Sequence, residues 1–231
     1  MVFALNRSML IVAGVTLVVG LICAIVLVDG GASSGEIWAR RGSVILAVNL
    51  VIGALCIPRV FALAHGISFA RYWWFPLLDG EWDAEIHSNW PRIRKMHEAA
   101  LSKASRFDAL RDTLSAEEEA ESVIRASVVI RSSLILFSLR LEPHGSARIS
   151  RSQFVRPRWS KPDLPELAYV YEQIDPGRVA ATDSRRHFGA GIIRYDSDND
   201  TLCGEYWTQR REDLGFNTAG TILLTRKEKT A

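Results

Sequence analysis

From Met9 to Val28 the chain runs for 20 residues without a charge, reading MLIVAGVTLVVGLICAIVLV. At about 1.5 Å per residue, that is roughly 30 Å of helix, the hydrocarbon thickness of a bilayer. A second run, Gly42 to Ile57, has 16 uncharged residues and ends at Pro58. It is short for a full crossing, and Val60 to Ala64 complete it if Arg59 snorkels or faces a partner helix. Between the runs lies VDGGASSGEIWARR, a polar turn with Gly and Ser. The pair reads as a transmembrane helical hairpin. A cleaved secretory signal would also explain Arg7 before the first run and the small Ala32 and Ser33 after it. Its apolar core is usually about 7–15 residues, however, and no second run follows it at once. Arg71, Tyr72, Trp73, Trp74 and Phe75 form an interfacial belt where the chain leaves the lipid. Domain boundaries follow: 1–75 is the membrane hairpin with its belt, and 76–231 is a separate domain.

Charge narrows the partners. Residues 1–75 hold five basic groups (Arg7, Arg40, Arg41, Arg59, Arg71) and two acidic ones (Asp29, Glu36). With 28 basic and 26 acidic groups in the whole chain, 28 − 5 = 23 and 26 − 2 = 24 remain after residue 75. That balance argues against a DNA or RNA polymer as partner, since such binding needs a basic excess. The flanking arginines are nearly balanced across the hairpin, so the positive-inside rule decides little about orientation. Three cysteines, Cys23, Cys56 and Cys203, cannot build a disulfide framework. The unpaired Cys203 favours a cytoplasmic location for the second domain.

After Pro76 the periodicity changes. In GEWDAEIHSNW, Trp82, Ala84, Ile86, Ser88 and Trp90 alternate with Glu81, Asp83, Glu85, His87 and Asn89. A period of two marks a strand with one wet face. Pro91 stops it. Residues 92–119 then follow a helical pattern through Ile93, Met96, Ala100, Ala104 and Phe107, with Glu117 to Glu119 as a solvated run. Further strands are expected at 121–131, 134–142, 147–155, 167–174, 187–195, 201–209 and 217–226. Turn chemistry separates them, including Pro143 with Gly145, the stretch Pro157 to Pro165, Asp175-Pro176-Gly177 and Asp196 to Asp200. Eight antiparallel strands must hide two edges, and closure into an up-and-down barrel does so. The expected fold is two N-terminal transmembrane helices followed by an all-β, eight-stranded up-and-down barrel with one inserted helix. A barrel of eight strands has room for one small ligand.

The residues specify no enzyme. No glycine-rich phosphate loop precedes a helix, and His65, His87, His97, His144 and His187 lack metal-ligand spacing. Asp196, Asp198 and Asp200 imitate part of a calcium loop, but the Gly and the closing Glu are out of place, so they read as a turn. The expectation is a binding module with no metal, no cofactor and no catalytic residue. Gly80-x-Trp82 on the first strand, with Arg226 ending the last, resembles the closed end of lipocalins. That resemblance implies a structural plug in which Arg226 packs over the Trp82 ring. Tyr206, Trp207, Thr208, Gln209 and Arg210, with Asn217 and Thr218, place aromatic, hydroxyl and guanidinium groups at one rim. Such groups stack on bases and hold phosphates, and they also suit an ordinary solvated strand end.

LLDGEWDAEIHSNWP at 77–91, SRSQFVRPRW at 150–159, LAYVYEQ at 167–173 and LCGEYWTQRRE at 202–212 follow the two apolar runs in order. The combination resembles the SMODS-associated two-transmembrane, β-strand-rich effectors of cyclic-oligonucleotide antiphage signalling (CBASS). The resemblance implies a lipocalin-like barrel in the cytoplasm, tethered to a bacterial inner membrane by two passes. It implies a cyclic dinucleotide ligand. It further implies self-association on binding, membrane disruption and death of the infected cell. The rival from another class is a membrane-tethered, lipocalin-like carrier of a small apolar ligand. Small residues in the two runs, among them Gly14, Gly20 and Gly53, would let helices approach closely in lipid.

Such a ligand wants cations or N–H donors for two phosphates and aromatic faces for two bases. Parity places them. If the barrel is closed at Trp82, the rim lies at Ser88, where odd strands end and even strands begin. The expected ligand-binding residues are therefore Ser88, Arg125, Tyr171, Tyr206, Thr208, Arg210, Asn217 and Thr218. Gly204, Tyr206 and Thr208 share one face, and the small Gly204 favours that face as the barrel interior.

Overall fold

In a computed structural model, residues 46, 48–66, 75–102, 106–133, 136–161, 164–177, 180 and 182–227 are described. Met9, Val28, Gly42 and Arg71 to Trp74, read above as span and belt, lie outside them. The chain divides into two compact units, 1–77 with 132–136 and 78–131 with 137–231.

In the first unit, helix α1 (Val48–Leu55) is followed by α2 (Pro58–His65), and the two are bent by 98°. Pro58 occupies the first turn of α2, where its missing N–H is no loss. Continuing α1 straight through it would cost a hydrogen bond and bring a ring clash. Val60 to Ala64 therefore continue the Gly42–Ile57 run in a second helix on a different axis. Among the described residues no single helix is long and apolar enough to cross a membrane, although the bent pair passes the same test together. Leu50, Val51, Ile57 and Leu63 are exposed. The buried ring of His65 donates through Nε2 to the carbonyl of Phe75 at 3.0 Å.

The second unit is a closed barrel in which eight strands lie in sequence order. They are β1 (Gly80–Ser88), β2 (Val123–Ser132), β3 (Phe137–Pro143), β4 (Ile149–Lys161), β5 (Leu164–Ile174), β6 (Arg186–Asp196), β7 (Thr201–Gln209) and β8 (Ala219–Arg226). β8 returns antiparallel to β1, from Trp82↔Arg226 to Ser88↔Gly220, so no edge is left open. Alternation decides the faces. Trp82, Ala84 and Ile86 are buried between exposed Glu81, Asp83 and His87. Ala126, Val128 and Ile130 on β2, and Ile222 and Leu224 on β8, face the same interior.

Two expectations are corrected. Pro157 does not end β4, which runs on to Lys161, and β5 already includes Pro165. The pairs Arg140↔Arg151 and Leu141↔Ser150 place Phe137, the first residue of β3, opposite residue 154. Pro157 is instead set against Leu167 of β5, and its ring is buried. The single helix expected over 92–119 is instead two, α3 (Trp90–Leu101) and α4 (Ala116–Glu121). Pro91 starts α3 in its first turn. Ser115 caps α4 in a capping box with Glu118. Glu118 also meets Lys95 at 2.7 Å, and that ammonium, with the Ser115 bonds, holds its carboxyl down at about 2.

Candidate functional site

One end of the barrel is shut by the plug. Trp82 is fully buried and its indole Nε1 donates to the Leu78 carbonyl at 3.1 Å. The Arg226 guanidinium carbon lies 4.2 Å from the Trp82 ring centre, within cation–π range. Arg226 Nε donates to Asp200 Oδ2 at 2.6 Å, and Nη1 to the Asp79 carbonyl at 2.9 Å. Gly80 makes room for this, since its φ of 142° lies outside ordinary L-residue space and a Cβ there would sit 3.2 Å from Arg226 Nη1. The acidic trio is a turn, as its spacing suggests. Asp196 accepts from the backbone of Asp198 and from the Asn199 amide, while Asp200 serves Tyr195 and Arg226.

Above the plug lies a cavity of about 440 Å³. The β1–β2, β3–β4, β5–β6 and β7–β8 connections gather at its mouth, where Trp90, His144, Asp183 and Thr218 line it. The rim is therefore at the Ser88 end, as strand parity predicts. One side of the wall is aliphatic, with Ile86, Val128, Leu139, Leu141, Ile222 and Leu224. The other is polar and aromatic.

Tyr169 and Tyr171 stand two residues apart on β5, ring centres 5.9 Å apart. They lie across β6 at Gly191 and Gly189, their register partners. A Cβ at Gly189 would sit 2.4 Å from the Tyr171 ring, and one at Gly191 would sit 2.6 Å from the Tyr169 ring. Two missing side chains on β6 thus let two rings lie flat against the wall. Tyr206, on the next strand, is the third phenol and lines the cavity with Ser88. Burial pushes all three phenols upward, and Tyr169 and Tyr171 also feel each other or Tyr206. They stay neutral donors at any physiological pH.

The mouth is charged. Arg148 bridges the two ends of the β5–β6 connection, donating from Nε to Asp175 Oδ2 at 2.8 Å and meeting Asp183 Oδ2 from Nη2 at 2.9 Å. Arg148 and the Gly177 amide hold the Asp175 carboxyl below its usual range. Arg210 approaches Asp183 Oδ1 at 3.1 Å through Nε, at an angle that makes no hydrogen bond. Its guanidinium lines the cavity, and its side chain is 15% exposed. His187 is buried beside this group, with no hydrogen bond on either ring nitrogen among the described residues. Burial first, and then the Arg210 charge, lower its pKa, so the imidazole is neutral near pH 7.

Of the residues expected at the site, Ser88, Tyr171, Tyr206, Thr208, Arg210 and Thr218 line this one cavity. Thr208 and Thr218 are turned toward each other, hydroxyl to hydroxyl at 2.8 Å, so each already has a partner. Arg125 and Asn217 are corrected. Arg125 alternates with buried Ala126, pairs with Glu85 across β1 and is exposed on the outer wall. Asn217 is exposed because Thr218 takes the inward place. Sequence reasoning missed Tyr169, Arg148 and Asp183. Tyr169 shares its parity with Tyr171, a signal that was legible. Arg148 and Asp183 sit in connections, where period two says nothing. Comparison with known proteins adds no relative: no protein-family model and no curated protein matches the chain.

Proposed function

We propose that the barrel is a receptor for a cyclic dinucleotide. The observation that carries this reading is Arg210. A mostly buried guanidinium lines the cavity beside three phenols and makes no hydrogen bond among the described residues. Its carboxylate neighbour Asp183, 3.1 Å from Nε, gives it an ion pair without an aligned hydrogen bond, and a phosphodiester would supply aligned acceptors. Bases supply flat faces for Tyr169, Tyr171 and Tyr206, since base–aromatic stacking tolerates any base. A volume of about 440 Å³ falls within the range of about 300–1,000 Å³ for small-ligand pockets. Arg148 offers a second cation at the mouth, at the expense of its bridge to Asp183. The barrel acts in this reading by binding and not by chemistry.

The resemblance in the sequence extends the proposal to the whole chain. Two apolar runs tether it to a bacterial inner membrane with the barrel in the cytoplasm. Ligand binding favours an associated state of several copies, and association disrupts the membrane as an antiphage response. Two spans per copy are too few to enclose a pore, so any lesion needs several chains. The ligand must bind the associated state better, by about 1.4 kcal/mol for each tenfold shift.

The aliphatic half of the wall favours the rival, a tethered carrier of a small apolar ligand. Thermal unfolding of the full chain in detergent separates them. A cyclic dinucleotide at about 100 times its Kd should stabilise the fold by about 2.7 kcal/mol, and Arg210→Gln should remove most of that gain. Stabilisation by a fatty acid, with none from any of a panel of cyclic dinucleotides, would establish the carrier instead.

A further inference from the structure

The charged group at the mouth is built around one buried carboxylate, that of Asp183. Arg148, in the β3–β4 connection, meets its Oδ2 from Nη2 at 2.9 Å. Arg210, the residue after β7, reaches Oδ1 from Nε at 3.1 Å, and the Ser184 backbone N–H donates to the same oxygen at 2.9 Å. A guanidinium fork suits a carboxylate and a phosphate alike, so three parts of the chain converge on an anion site that already holds a side chain. The surrounding polar groups are nevertheless left idle. Among the described residues, four buried side-chain polar atoms have no hydrogen-bond partner: Ser184 Oγ, Nδ1 and Nε2 of His187, and Nε of Arg210. All four belong to this group, since the His187 ring feels the charges of Arg210, Asp183 and Arg148. Buried polar atoms normally find partners, and each exception asks for a reason. Charge points the same way. Arg148 and Arg210 are balanced by Asp175 and Asp183, so with Asp183 in place the mouth offers a phosphate no net positive charge.

We propose that one phosphate of the ligand takes the place of the Asp183 carboxylate and is held there by Arg148, Arg210 and the Ser184 N–H. This deepens the receptor reading and rests on it. Both arginines converge on one carboxylate, so they serve one phosphate together and not one each. A phosphodiester presents two free oxygens from one centre, as the carboxylate does, and Ser184 Oγ and a ring N–H of His187 stand nearby as donors that the carboxylate leaves unused. Asp183 gives up its ion pairs and turns to solvent, where hydration offsets their loss. Asp175 stays on Arg148 Nε at 2.8 Å and keeps that guanidinium at the mouth. Asp183 thereby selects for anions. A ligand with its own anionic group can replace it, and a neutral ligand leaves it in place.

The test is the sign of one substitution. Affinities for a panel of cyclic dinucleotides are measured by titration calorimetry on the full chain in detergent. A carboxylate that competes with the phosphate makes Asp183→Asn tighten binding, by about tenfold for the 1.4 kcal/mol that such a factor represents. A carboxylate that only positions the two arginines makes the same substitution weaken binding or leave it unchanged, and either result overturns the inference. Asp175→Asn is the charge control, since it removes one negative charge from the same mouth but from the Nε side of Arg148. It should not tighten binding, and an equal gain in both variants would show an effect of net charge alone and overturn the inference. Thermal unfolding checks that each variant folds cooperatively, and Asp183→Ser carries the same expectation where Asp183→Asn does not fold. If no cyclic dinucleotide binds the parent or the Asp183 variants, the receptor reading falls and this inference with it. If some bind the parent and the sign is wrong, the receptor reading stands and this inference alone falls.

Discussion

Gly191→Ala tests whether the tyrosine wall depends on missing side chains. The new Cβ would lie 2.6 Å from both Cζ and Oη of Tyr169, and 2.9 Å from the Glu205 carbonyl oxygen. The ring cannot retreat far, since Tyr169 is buried against Tyr171. Overpacking of this kind costs about 1–3 kcal/mol. Against it stands the entropy that Ala saves over Gly in a strand, about 0.5–1 kcal/mol. The net expectation is a loss of about 1–2 kcal/mol. For a domain of this size that lowers the melting temperature by about 2–4 °C per kcal/mol. The assay is thermal unfolding of the full chain in detergent, followed by near-UV circular dichroism, which reports the packed aromatics. The decisive arm repeats the substitution in a Tyr169→Ala background. With the ring gone, the 2.9 Å approach to the Glu205 carbonyl remains, and Gly191→Ala should cost at least about 1 kcal/mol less than it does with Tyr169 in place. Such a coupling is what a double-mutant cycle isolates. An equal cost in both backgrounds would refute the reasoning, because the clash would then be with the strand and not with the ring.

Three further outcomes follow from the same contacts. Trp82→Ala should destabilise the barrel by about 3–5 kcal/mol, as for other fully buried large aromatics, in a denaturant titration; parental stability with lost ligand affinity would move Trp82 from plug to binding site. Arg226→Met should cost about 2 kcal/mol in the same titration, since it removes the cation–π contact and two charged hydrogen bonds; no measurable cost would show the plug to be held by Trp82 packing alone. His187 has a folded pKa below its unfolded value of about 6.5. The unfolded chain therefore takes up a proton first, and stability is complete above about pH 6.5 and falls as pH drops below it. His187→Leu should flatten that fall between pH 7.5 and 5.5, with little cost at pH 7.5 because neither ring nitrogen has a partner to lose.

What the residues determine by themselves is whatever depends on neighbours in the chain. Alternation along β1 and β7 marks Trp82, Ile86, Tyr206 and Thr208 as inward-facing, because successive Cβ atoms point to opposite faces whatever the sheet does next. Turn residues divide the strands at Asp175-Pro176-Gly177 and Asp196 to Asp200 for equally local reasons. The same rule, applied strictly, would have excluded Arg125 and included Tyr169. Tertiary structure decides what depends on register and closure. Pro157 lies inside a strand because register sets it against Leu167 of β5. The tyrosine rings lie flat only because register sets Gly189 and Gly191 against them. Arg148, Asp183 and Arg210 meet only because three connections reach one mouth when β8 closes on β1. Chain separation says nothing about that meeting, since the hydrogen bonds that fix it run between strands and not along them.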